Sequence, residues 1–156
     1  MRILLCILAL VGFIYCAKKE PGVPYPEGYQ KWALLKSALI TKGEPLFDPF
    51  GGIHHIYGNR EAQSAIEAGQ TPPDGSVLVF DLFEAVSSDS GDTEGAHKFV
   101  AVMIKDSEQF KSTGGWGYDA FKADTKERFV KDATKECFAC HKSQSGNDFL
   151  FTTAQK

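Results

Sequence analysis

The residues with the clearest chemistry lie near the C-terminus, in Cys137-Phe138-Ala139-Cys140-His141. Two thiols three positions apart on a helical turn can each add across a vinyl group of a porphyrin, and the adjacent imidazole then reaches the iron from the same side. The competing readings are a redox dithiol, a structural disulfide and half of a zinc site. A closed zinc site needs four ligands, but the remaining histidines are His54, His55 and His97, and the chain has no second closely spaced cysteine pair. A thioredoxin-type dithiol belongs early in a βαβ unit rather than at the end of a chain. The expectation is therefore one covalent haem c held by Cys137 and Cys140, with His141 as the ligand to its iron.

Function then turns on the opposite side of the iron. Outside the first residue, Met103 is the only methionine, and it sits between Val102 and Ile104 in a predicted strand, where a thioether fills core space. His54 and His55 are adjacent, so on a strand they point to opposite faces and at most one of them faces the haem. His55 is taken as the candidate catalytic residue, because one imidazole beside the iron can move a proton or hydrogen-bond a bound gas. A five-coordinate iron, open to small ligands, is at least as well supported as a six-coordinate one.

The other two cysteines have a different setting. Residues 1–15, MRILLCILALVGFIY, hold one Arg followed by an apolar stretch of signal-peptide length, too short to span a bilayer. Export is expected, with residues 1–15 as the signal peptide. Cys16 ends this run in Phe13-Ile14-Tyr15-Cys16 and resembles the lipidated cysteine of a degenerate lipobox. The two outcomes are a periplasmic protein anchored to the membrane through lipid on Cys16 and a plain secreted form. Two acyl chains would hold such an anchor stably.

The elements that must position the motif follow from the rest of the 156 residues. Seventeen Lys and Arg against twenty Asp and Glu give a net charge of −3, with no basic excess for a nucleic-acid partner. The 12% aromatic content excludes a disordered chain. Residues 16–28, with Pro21, Pro24 and Pro26, read as a tether, and residues 29–156 as one haem c domain. Trp32, Leu35 and Leu39 recur at intervals of three and four, which predicts an amphipathic helix over 29–40. Ile53 to Tyr57 reads as a strand, and Asn59 as the N-cap of a helix that packs Ala62, Ala65 and Ile66 and ends at Gly69.

Pro72-Pro73-Asp74-Gly75 is a turn signal before the branched and aromatic run Val77 to Ala85. Lys98 to Lys105 completes a hairpin across a polar loop over 86–95. Both strands are apolar on two faces, so each needs cover on both sides. Beyond Gly114-Gly115-Trp116-Gly117-Tyr118, whose glycines permit tight turns around two large rings, the chain reads as mixed and charged up to Glu136.

Several of these segments together resemble the cytochrome P-460 family, which includes the cytochromes c′-beta. They are Tyr29 with Trp32, His55-Ile56-Tyr57-Gly58-Asn59, Pro73 to Leu82, Val102-Met103-Ile104-Lys105-Asp106, Gly114 to Tyr118, and the late Cys-x-x-Cys-His followed by Asp148-Phe149-Leu150-Phe151-Thr152. The resemblance runs over about residues 25 to 153. It implies an α+β fold, mainly antiparallel β-sheet with flanking helices and a C-terminal haem-attachment helix. It further implies a homodimer and a five-coordinate haem c with His141 proximal.

Two functions diverge within the family. Members of the P-460 type carry a lysine bonded to the porphyrin and oxidise hydroxylamine, whereas the c′-beta type lacks that bond, caps the distal face with phenylalanine and binds nitric oxide or carbon monoxide. Phe80 stands where the distal cap belongs, with Phe47 or Phe50 as a second cap, and His55 replaces an arginine often found before Ile-Tyr. Lys98 and Lys105 are the candidates for a linking lysine. The expected partner is a small gaseous or nitrogen-oxide ligand. The rival readings are a hydroxylamine or nitric oxide oxidoreductase and a six-coordinate electron carrier.

Overall fold

Branched and aromatic side chains dominate the centre of the chain, and they pair into a sheet. The computed structural model describes residues 22–152. Its five strands, β1 (Ala33–Ile40), β2 (Gly52–Gly58), β3 (Val77–Ser88), β4 (Gly91–Lys105) and β5 (Trp116–Lys122), lie side by side in chain order. Every neighbouring pair is antiparallel. One helix, Arg60–Glu67, crosses between β2 and β3, and a run of short helical turns from Thr134 to Asn147 follows the sheet. The fold is α+β and mainly β, as expected.

Cross-strand register fixes which residues share a face. Ile56 lies opposite Phe80, Phe80 opposite Ala101, and Ala101 opposite Ala120. With the two-residue alternation of strands, this face also carries His54, Leu78, Leu82, Phe99, Met103, Trp116 and Tyr118. Part of it is covered by Ala62 and Ile66 of the helix and by Phe138, Phe149 and Leu150 of the C-terminal segment. The other face packs Val79, Val100, Val102 and Phe121 against Val23 and Tyr29. Both faces of β3 and β4 thus receive the cover that their composition demands.

Three expectations need correction. The segment 29–40 is not a helix: Tyr29–Lys31 is a single 3-10 turn, and the chain then becomes β1. The register slips between Leu34 and Lys36, and this bulge inserts one residue into the alternation. Leu35 then packs with Ile56 on one face while Trp32 packs with Tyr29 on the other, so the three-residue spacing only imitates helical periodicity. The polar stretch 86–95 is not a loop either. β3 and β4 continue through it, pairing Val86 with Thr93 and Ser88 with Gly91, and its polarity reflects exposure on both faces.

The third correction concerns the tether. Val23 and Pro26 are buried, and the Val23 carbonyl accepts a hydrogen bond from Arg128 at 2.7 Å. Residues 22–28 therefore belong to the packed domain. The signal peptide over 1–15 and the lipidation of Cys16 lie outside the described residues.

The Asn59 cap forms as expected. Its side-chain oxygen accepts from the Ala62 N–H at 3.1 Å and also from the Val77 N–H at 3.0 Å, so one residue starts the helix and ties it to β3. The helix buries Ala62, Ala65 and Ile66.

Candidate haem-binding site

Cys137 and Cys140 occupy successive positions of a continuous helical run, Thr134–Phe138 followed by Ala139–His141. Both are free thiols. Cys140 is exposed, whereas burial, the largest cause, together with the carboxylates of Glu136 and Asp119, pushes the Cys137 thiol up to about 12. His141 follows on the same run. Its Nδ1 donates to the Phe149 carbonyl at 2.8 Å, a bond that fixes the tautomer and leaves Nε2 as the ligating atom. Burial holds the His141 imidazole below the ordinary histidine range, against the opposing bond to Phe149, and so favours the neutral ring that a metal requires. The ring lies 4.9 Å from Tyr118 and 5.1 Å, edge-on, from Phe151.

Tyr118 connects this segment to the sheet, because it stands on the face that carries Phe80. Phe80 lies 5.8 Å from Phe50 and 6.1 Å from Phe99, and Phe99 in turn lies 5.8 Å from Phe129. Between this aromatic end and Tyr118 the residues on this face are small, Ala101 and the buried Ala120. Phe129 and Phe151 are 40% and 45% exposed, large rings at the borders of the same surface. An imidazole with its second nitrogen already bonded and two thiols one turn apart are the donor set that a haem requires. The residues present fit a haem.

The family model for Cytochrome P460 matches residues 26–152. The chain belongs to the cytochrome P460 family. No individually curated protein matches it. Membership of the cytochrome P460 family implies a haem cofactor, and the matched span contains every site residue described above.

For this cytochrome P460 chain the structure separates the site candidates that sequence left together. His55 is not beside Phe80. It lies opposite Asp81 on the other face of the sheet, with Ser37 Oγ 2.6 Å from its Nδ1 and Glu94 Oε1 2.8 Å from its Nε2. The candidate catalytic imidazole His55 and the candidate cap Phe80 therefore do not share a face: the strand alternation turns His55 away from Phe80 and toward Glu94. His54 takes the place on the Phe80 face, with its ring stacked on Phe80 at 4.8 Å. His97 belongs to the other face, where it bonds Asp81 at 2.7 Å and stacks on Phe83 at 4.6 Å. Met103 packs into the core cluster that holds Leu78 and Tyr118. Of the two further caps, Phe50 touches Phe80, while Phe47 lies beside Gly51, lining a separate cavity with Leu39 and Glu84.

The two lysines also differ. Lys105 Nζ is 2.7 and 3.0 Å from the carboxylate oxygens of Asp148 and 4.9 Å over the Trp116 ring. Lys98 Nζ donates to the Gly51 carbonyl at 2.9 Å, next to Phe50.

Proposed function

We propose that this member of the cytochrome P460 family carries one haem c bound through Cys137 and Cys140 and binds nitric oxide or another small gas, in the manner of the c′-beta type. Each thiol would form a carbon–sulfur bond to a vinyl carbon, with the thiol proton going to the neighbouring carbon. The haem supplies an iron that takes a diatomic ligand. What the chain supplies is a neutral His141 aimed by Phe149, and a face closed by aromatic rings.

The observation that carries the reading is the position of Phe80. It stands on the face that packs the Cys137–His141 segment, braced by Phe50 and Phe99. Rings in that place disfavour charged ligands, and a small neutral gas is admitted more readily than hydroxylamine or an anion. Met103 packs against the cluster that holds Leu78 and Tyr118, which supports an iron without a thioether as second axial ligand. Export, with or without lipid on Cys16, places haem attachment outside the cytoplasm, and the homodimer is carried over from the family resemblance.

One observation favours the hydroxylamine-oxidising alternative. Lys98 is anchored beside Phe50, at the aromatic end of this face, where a lysine could reach the macrocycle edge. Intact mass and peptide mapping of the mature holoprotein decide between the two. The proposal expects haem bound through Cys137 and Cys140 alone, and a haem peptide that also contains Lys98 would overturn it.

A further inference from the structure

The carbonyl that orients His141 belongs to a backbone turn whose own bonds, Phe149 N–H to Gln144 O at 2.8 Å, Leu150 N–H to Asn147 O at 2.9 Å and Asn147 Nδ2 to Leu150 O at 2.7 Å, are joined by contacts from elsewhere in the chain. Asp148 and Phe149 are consecutive non-glycine residues in the left-handed region, with φ of 47° and 64°. Such residues persist where the surroundings over-determine them. Here the surroundings come from two segments distant in sequence. Lys105, the last residue of β4, places Nζ 2.7 and 3.0 Å from the two carboxylate oxygens of Asp148. Its amine also donates to the Gly114 carbonyl at 3.3 Å. Trp116, which pairs with Lys105 across the sheet, donates its indole N–H to Asp148 Oδ2 at 3.1 Å.

The ring of Phe149 lies against Gly114, itself at φ 71°, so closely that a Cβ there would stand 2.1 Å from a ring carbon. Lys105 and Asp148 are 10% and 18% exposed, so the ion pair is largely withdrawn from water, and Lys105 is fixed by the backbone bond of its N–H to Ser76 O at 2.8 Å. A rigid sheet end, an ion pair, a strained turn and the His141 Nδ1 bond thus form one continuous chain of contacts.

We infer that Lys105 and Asp148 are positioning residues for the iron ligand: together with Trp116 and Gly114 they hold the Phe149 carbonyl on His141 Nδ1 and thereby set the orientation and donor strength of the imidazole. This rests on the reading of His141 as the ligand to a haem iron. A firm hydrogen bond at the distal ring nitrogen of a ligating histidine raises its basicity and stabilises the oxidised metal. Slackening the turn should therefore weaken the iron–histidine bond and raise the midpoint potential. The same inference gives a common physical reason for three segments that otherwise look unrelated in sequence, those around Lys105, Gly114-Gly115-Trp116 and Asp148-Phe149-Leu150.

The test compares the holoprotein with its Asp148→Asn and Trp116→Phe variants. The iron–histidine stretching band of the ferrous form is read by resonance Raman, and the midpoint potential by redox titration. The expected result is a band moved to lower frequency and broadened in Asp148→Asn, a smaller displacement in Trp116→Phe, and a potential shifted upward in the same order. Variants that melt earlier but keep the wild-type band and potential would overturn the inference, because the pair would then serve stability alone. Should Asp148→Asn not mature, Trp116→Phe, which removes the indole N–H bond to Asp148 and keeps an aromatic ring in the buried site, decides by the same two readouts. A wild-type ferrous protein that is six-coordinate and refuses carbon monoxide would defeat the gas-binding reading instead, and the shift in potential would still test the positioning pair.

Discussion

The imidazole of His54 lies nearly parallel to the ring of Phe80, with centroids 4.8 Å apart and planes inclined by 19°. Its Nδ1 is enclosed and has no hydrogen-bond partner among the described residues. A buried, unsatisfied ring nitrogen is costly, and on the proposed function it is the group of this face that would bond the ligand. Replacing His54 with Phe should raise the dissociation rate of a bound diatomic gas by roughly two- to tenfold, the worth of one net hydrogen bond. Stopped-flow displacement checks this against His55→Ala, which should leave the rate unchanged because His55 faces Ser37 and Glu94. Equal effects of the two substitutions would contradict the facial assignment.

Phe80 lies in cross-strand register with Ala101 and Ala120. If it is the distal cap of the proposed function, truncation to Ala should raise the association rate of carbon monoxide with the ferrous protein by about tenfold, a barrier change of about 1.4 kcal/mol. Flash photolysis measures it. An unaltered association rate would mean that entry lies elsewhere.

His54 also makes stability depend on pH. Burial, followed by the charges of Lys36 and His55, holds its pKa below the ordinary value of 6.5. The unfolded chain therefore takes up the proton first as pH falls. This contribution is fully present above about 6.5 and is lost as pH drops through the depressed folded value. Denaturant unfolding at about pH 7.5 and about pH 5.5 should show wild type losing more stability on acidification than His54→Phe. Parallel losses would place His54 in contact with water.

Gly114 is a stability prediction of another kind. Alanine there meets both an unfavourable φ and the Phe149 ring, and the substitution should cost about 2 kcal/mol or more. Thermal unfolding reads the loss, and a wild-type midpoint would show that the ring of Phe149 moves aside freely.

How far the sequence could be read follows from which interactions are local. The helical run that carries Cys137, Cys140 and His141 stands out in the sequence because the chemistry of such a motif depends on spacing within one turn. β2, the helix after Asn59 and the centres of β3 and β4 were legible because branched side chains and a capping residue act locally. β1 was not, because its bulge at Leu35 shifts the alternation and only the partner strand reveals it. β5 was missed for a related reason: Trp116 through Phe121 are all buried, so no polar face marks the strand, and Asp119 reads as a loop residue until Arg128 is found 3.0 Å away. The choice between His54 and His55 required the register that sets Ile56 opposite Phe80. Sequence dictates that adjacent strand residues diverge, and the neighbouring strand decides which of them meets the site.

The central claim is a haem iron held by His141 and open on the side of Phe80. The absorption spectrum of the reduced holoprotein before and after carbon monoxide tests it most directly. The account predicts a high-spin five-coordinate ferrous spectrum that converts to a six-coordinate carbonyl form. A low-spin spectrum unmoved by carbon monoxide would contradict it.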